Sequence, residues 1–179
     1  MSTRGKILVA AHDGTYLLRF VGDVRLTLCV AIDDFLQKML EDPCFTAVVI
    51  DLSQAHYLDS TSLGILAKLA KETQRKTARS PILVRPAAEI MRSLVGLGID
   101  GLFEQGGAEF TGFAPGAALK ASEPSEADTR RRVIEAHRVL MALNPSNAAE
   151  FSDLVAQLEA LDTPTAVGQA RSKTPATSG

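Results

Sequence analysis

A chain of 179 residues with 46% hydrophobic and 22% charged side chains can bury one sizeable core without help from disulfides or metal. Its net charge of −2 gives no electrostatic reason to expect nucleic acid or an anionic membrane as the partner. No apolar run approaches the roughly 20 residues that span a bilayer, and the residues after Met1 do not form a signal peptide, so a cytoplasmic protein is expected.

Ile7 to Ala11 and Tyr16 to Val21 read as two strands joined by a tight turn at His12-Asp13-Gly14-Thr15, where Asp-Gly is a hairpin signal. Gly22-Asp23 ends the second strand. Leu28, Ile32, Phe35, Leu36, Met39 and Leu40 recur at spacings of three and four, predicting a helix that Pro43 closes. Phe45 to Leu52 is a continuous apolar run, as a central strand requires. A short polar loop follows, and the next helix starts at Ser60. Leu63, Leu66, Leu69 and Ala70 are expected on its buried face, with Lys68, Lys71, Glu72, Gln74, Arg75 and Lys76 turned outward.

Ser80 to Val84 supplies another strand, and Pro86 stands just before or inside a helix carrying Ile90, Met91, Leu94 and Leu97. Gly96 and Gly98 are suitable stops, and Leu102-Phe103 reads as a final edge element. Glycine and proline break up residues 105–125 into a loop. Arg130 to Leu143 then reads as a helix with Val133, Ala136, Leu140 and Leu143 on one side. A further helix opens at Ser146-Asn147, where Asn147 and Glu150 resemble a capping box. Its stripe of Phe151, Leu154, Val155, Leu158 and Leu161 must be buried somewhere. Residues 163–179 lack large apolar side chains and are expected to be disordered. The order predicts an α/β fold, a mixed sheet packed with helices over residues 1–105, then a linker at 106–125 and a helical C-terminal extension at 126–162.

The segment from Val48 to Gly64 passes from a buried strand into a helix start, and puts a serine hydroxyl beside a carboxylate among unpaired backbone donors. Asp59 and Ser60 alone are also what a plain helix cap uses. The order Asp59-Ser60-Thr61-Ser62-Leu63-Gly64 behind a hydrophobic strand resembles the family of sulfate-transporter and anti-anti-sigma (STAS) domains. There a strand leads to Asp-Ser-(Ser/Thr/Ala)-Gly-Leu-Gly, and in many members the first serine is phosphorylated. The resemblance extends over about residues 5–105, and the segment from Leu94 to Phe103 looks like the family's last helix and turn.

That resemblance implies that Ser60 is a phosphorylation switch. Ser62 departs from the pattern, standing where the family has glycine, so Thr61 and Ser62 remain secondary acceptors. The implied partner-binding residues are Asp23, Asp59, Ser60, Thr61, Ser62, Leu63 and Gly64. The implied partner is an anti-sigma factor, in many members itself a serine kinase, with a PP2C-type phosphatase resetting the serine. Such a protein controls transcription indirectly, as a monomer or weak dimer, and is not an enzyme. The alternative is a STAS adaptor or sensor that scaffolds another signalling protein, or binds a small ligand, without a sigma-factor circuit.

Other chemistry has little material. His56 stands four residues before Ser60, but there is no Gly-x-Ser-x-Gly elbow to make a hydrolase. No glycine-rich loop cradles phosphates, so no nucleotide cofactor is expected. Cys29 and Cys44 are expected as buried reduced thiols, and neither has zinc-ligand spacing. His12 sits at a turn, and His137 is expected to be partly buried or at a helix boundary. Arg130-Arg131-Arg132 reads as a solvated helix face. The C-terminal helices are expected to cover apolar surface of the sheet domain, with a second docking surface for dimerisation or a signalling effector as the other role.

Overall fold

The computed structural model describes residues 5–107, 116–120 and 123–161; the expected disordered tail lies outside them. Strands β1 (Lys6–His12) and β2 (Thr15–Val24) form an antiparallel hairpin. Asp13 and Gly14 at its turn both adopt left-handed φ angles, 47° and 76°, as a type I′ turn demands. The chain continues through α1 (Leu26–Glu41), β3 (Ala47–Leu58), α2 (Ser60–Thr77), β4 (Ile82–Val84) and α3 (Ala88–Gly96). A 3-10 turn (Asp100–Leu102), β5 (Glu104–Gly106), β6 (Ala117–Ala118), α4 (Glu126–Met141) and α5 (Pro145–Ala160) complete it.

The sheet has the order β5-β4-β3-β2-β1-β6. Strands β2 to β5 are parallel, each reached from the last by a helical crossover, and β1 is antiparallel to both neighbours. Alternation along the strands sorts the core. Ile7, Leu18, Phe20, Val48, Ile50, Leu52 and Leu83 join the helices in one large cluster, and Leu17, Val49 and Val84 form a small one. Asp51 alternates onto the same side as Val49, where Arg19 Nε reaches its carboxylate at 2.7 Å and Ser53 N donates to it at 2.9 Å. Burial pushes the Asp51 carboxyl up, but the hydrogen bonds from Ser53 and Arg19 outweigh it and hold the group below the usual range.

Several expectations are corrected. The polar stretch before α2 is not a loop: β3 runs on through Ser53 to Leu58, pairing Gln54 with Val21 and Tyr57 with Asp23. The edge strand is β5, two residues beyond Leu102, and β6 lies inside the expected loop. Asn144, not Asn147, caps α5; its side chain accepts from Asn147 N at 2.8 Å and Pro145 follows at the first turn. Asn147 is buried and donates to the carbonyls of Leu97 and Leu140.

The C-terminal helices are integral to the core, since Ala136, Leu140 and Phe151 belong to the large cluster. Helix α4 lies along α2 so closely that Gly64 meets Ala136: a Cβ at Gly64 would sit 2.5 Å from the Ala136 carbonyl oxygen. Lys68 is not turned outward; it bridges Asp33 of α1 and Glu135 of α4, at 2.8 Å each. Arg132 also bonds Asp33 and reaches Asp34 at 2.6 Å. Arg132 is thus pinned rather than solvated, whereas Arg131 is exposed as expected, with Asp128 at 2.7 Å.

The cysteines differ from each other: Cys29 is buried and Cys44 is exposed. Burial pushes the Cys29 thiol up to about 12, against a smaller opposing effect of its Ser62 hydrogen bond. Native protein in mildly alkaline iodoacetamide is therefore expected to take up one equivalent, on Cys44, and a second only in denaturant. Peptide mass spectrometry reads this, and rapid native modification of Cys29 would contradict the packing.

Candidate switch site at the head of α2

Asp59 is the N-cap of α2, in extended conformation, and both oxygens of its carboxylate accept hydrogen bonds within the protein. Oδ1 accepts from Ser62 N at 2.8 Å and from Ser62 Oγ at 2.7 Å. Oδ2 accepts from Leu26 N at 2.8 Å, the first residue of α1. One side chain therefore ties the N-termini of two helices together, where both dipoles favour its negative charge.

With the cap supplied by Asp59, Ser60 is left free of that duty. It is the first residue of α2 and half-buried. Its Oγ lies 2.9 Å from Nε2 of His137 on α4, and the Nδ1 of that ring lies 2.8 Å from the Val133 carbonyl oxygen. His137 is 1% exposed and lies within α4, more enclosed than expected, with Phe151 of α5 packed edge-on at 4.9 Å between ring centroids. His56, the nearer histidine in sequence, is exposed on β3.

The neighbouring hydroxyls are placed differently. Thr61 and Ser62 are both buried. Ser62 Oγ is turned towards Asp59 and lies 3.4 Å from the Cys29 sulfur, which is how a serine is accommodated where the motif has glycine. Leu63 and Gly64 are also buried, Gly64 against α4. Of the expected docking residues, Asp23, Asp59 and Ser60 are half-exposed, and Thr61 to Gly64 lie beneath them.

Sequence reasoning missed two further members of this surface. Tyr57 is 49% exposed, and the guanidinium of exposed Arg25 stands 5.4 Å over its ring. Arg25 Nη2 in turn reaches Asp23 at 3.8 Å. All lie at the carboxyl ends of parallel strands β2 and β3, where α/β sheets present their ligand-binding edges. A cleft of about 180 Å³ between β3 and α3 is lined by His56, Tyr57, Leu58, Leu63, Glu89, Ile90 and Ser93. That is smaller than the roughly 300–1,000 Å³ of small-molecule sites. Among the described residues no helix is long and apolar enough to cross a membrane.

Comparison with known proteins bears on the family and the fold. Residues 6–110 match the model of the STAS domain family. The unphosphorylated anti-sigma factor antagonist SpoIIAA is similar in fold, with TM-score 0.52 and 13% identity over 59% of this chain and 91% of that one. The phosphorylated form of SpoIIAA, a Bacillus cell fate determinant, gives TM-score 0.50 and 14% identity over 59% and 95%. An anti-sigma factor antagonist from Mycobacterium paratuberculosis gives TM-score 0.50 and 22% identity over 74% and 98%. A comparison with curated proteins gave no match.

Proposed function

The chain belongs to the STAS-domain family, and from that premise we propose that it is an anti-sigma factor antagonist switched by phosphorylation of Ser60. The observation that carries the proposal is half-buried Ser60 at the head of α2, on a surface edge with Asp23, Arg25 and Tyr57. Thr61 and Ser62 are buried, which favours Ser60 as the acceptor.

The physical logic is a charge switch. An unmodified serine enters a protein interface at little desolvation cost. Phosphorylation adds about −1.5 to −2 charges and three acceptor oxygens. Two helix N-termini converge here, so the protein itself tolerates an anion. A partner surface shaped for the neutral hydroxyl does not, because burying an unmatched charge costs several kcal/mol. In this account the unphosphorylated chain, in the cytoplasm, sequesters an anti-sigma factor that is itself a serine kinase, and so releases a sigma factor. A PP2C-type phosphatase restores the binding form. The chain acts by binding, without turnover or cofactor. The β3–α3 cleft beside the site, at about 180 Å³, is itself too small to favour the ligand-sensor alternative there.

The test compares tagged full-length wild type, Ser60→Ala and Ser60→Asp in native cells. Ser60→Ala should retain the partner and raise sigma-dependent transcription. Ser60→Asp should bind about a hundredfold more weakly, the equivalent of about 2.7 kcal/mol. Equal capture by all three proteins removes the mechanism.

A further inference from the structure

The contact between Ser60 and His137 has a defined proton arrangement. A backbone carbonyl can only accept, so His137 Nδ1, 2.8 Å from the Val133 oxygen, carries the ring proton. In the neutral imidazole Nε2 is then a bare lone pair, and Ser60 Oγ at 2.9 Å has to be the donor. The ring is held in place by Phe151 and by the pairing of α4 with Asp33, Asp34 and Lys68 through Arg132 and Glu135. A hydroxyl within reach of a base, with the base oriented by a third group, is the arrangement of an activated nucleophile. Ser60 has no capping bond to give up, because Asp59 already caps α2.

We propose that Ser60 and His137 form a nucleophile–base pair, in which His137 takes the hydroxyl proton as Ser60 Oγ attacks phosphorus. With a nucleoside triphosphate presented by a second protein, the Oγ–Pγ bond forms and the bond from Pγ to the β,γ-bridging oxygen breaks. The nucleoside diphosphate leaves with that electron pair, and the Ser60 proton moves to Nε2 of His137. The ring then carries protons on both nitrogens and faces the new phosphate as a cation. The C-terminal extension thereby supplies a catalytic group to the STAS domain, and the chain remains an acceptor, modified once. The biological use of the pair rests on the reading of Ser60 as the modified residue; its chemistry can be measured apart from that.

The probe is a fluorophosphonate, which needs no kinase: Oγ bonds to phosphorus, fluoride leaves, and the proton again goes to His137. Full-length wild type, His137→Gln and Ser60→Ala are labelled and the sites read by peptide mass spectrometry. Glutamine keeps an acceptor near Ser60 but has no basic nitrogen. Wild type should label at Ser60 faster than at exposed Ser53 and Ser93, and more slowly in deuterated solvent. His137→Gln should label at Ser60 roughly a hundredfold more slowly, with no solvent isotope effect. Thermal unfolding checks that the variant keeps its fold; if it does not, the comparison of Ser60 with Ser53 and Ser93 inside wild type decides. Equal rates in wild type and variant, faster labelling of the variant, or Ser60 no more reactive than Ser53 each overturn the pair. Reactive Ser60 that is never phosphorylated in cells sinks the switch and leaves the pair standing. Phosphorylated but unreactive Ser60 does the reverse.

Discussion

Asp33→Ala is expected to lower the unfolding free energy by about 3 kcal/mol, measured by urea titration. Asp33 is buried, and it accepts from Lys68 of α2 and Arg132 of α4. Those two cations have side chains only 16% and 17% exposed, so neither can recover full hydration once the carboxylate is gone. Removing one partner from a buried ion pair typically costs about 3–5 kcal/mol. The lower end applies because Glu135 and Asp34 still contact the cations. The control is Asp34→Ala. Asp34 is 49% exposed and Arg132 keeps Asp33 without it, so its loss should cost about 1 kcal/mol or less. Indistinguishable losses for the two variants would mean that the network does not join α1, α2 and α4 in solution.

Gly64→Ala sets two effects of opposite sign against each other. Inside an isolated helix the change gains about 1 kcal/mol, because alanine loses less backbone freedom. Here the new methyl would lie 2.5 Å from the Ala136 oxygen and 2.8 Å from its carbonyl carbon. These are backbone atoms of a packed helix, not the end of a side chain that can turn aside. Overpacking costs about 1–3 kcal/mol, and contacts this short belong at the upper end. A net destabilisation of about 1–2 kcal/mol is expected, with faster hydrogen exchange along α4 and α5. A stabilised Gly64→Ala would show that α4 does not lie against α2 at this point. The measurement reports on the docking of the C-terminal helices independently of Ser60.

Sequence patterns captured what neighbours in the chain determine. The Asp13-Gly14 hairpin, the apolar faces of α1 to α3 and the start of α2 at Ser60 all follow from spacings within a few turns. The end of β3 escaped because shifts in its register with β2 leave Ser53-Gln54 and His56-Tyr57 as exposed pairs. An alternating pattern would have read as a strand; these pairs read as a loop. Lys68 and Arg132 looked solvent-facing because the carboxylates that hold them come from other elements of the chain. The same holds at the candidate site. Asp59, Ser60 and the head of α2 were visible in one short motif, whereas His137 carries no local mark that it meets them. An imidazole among apolar helical positions reads as part of a core, and only the packing of α4 on α2 gives it a hydroxyl to face.

The contact between Ser60 and His137 closes a span of 77 residues, and the ribosome delivers the serine first. At about 5–20 residues per second, the hydroxyl exists for roughly 4–15 s before the matching imidazole is even polymerised. A nascent polypeptide therefore displays an ordinary, unassisted alcohol at this position. Only once α4 and α5 have emerged and folded back onto α2 does the molecule carry the paired one. An enzyme that needs the pair is blind to chains that stop short of α4, so residue order itself delays modification until that helix has docked.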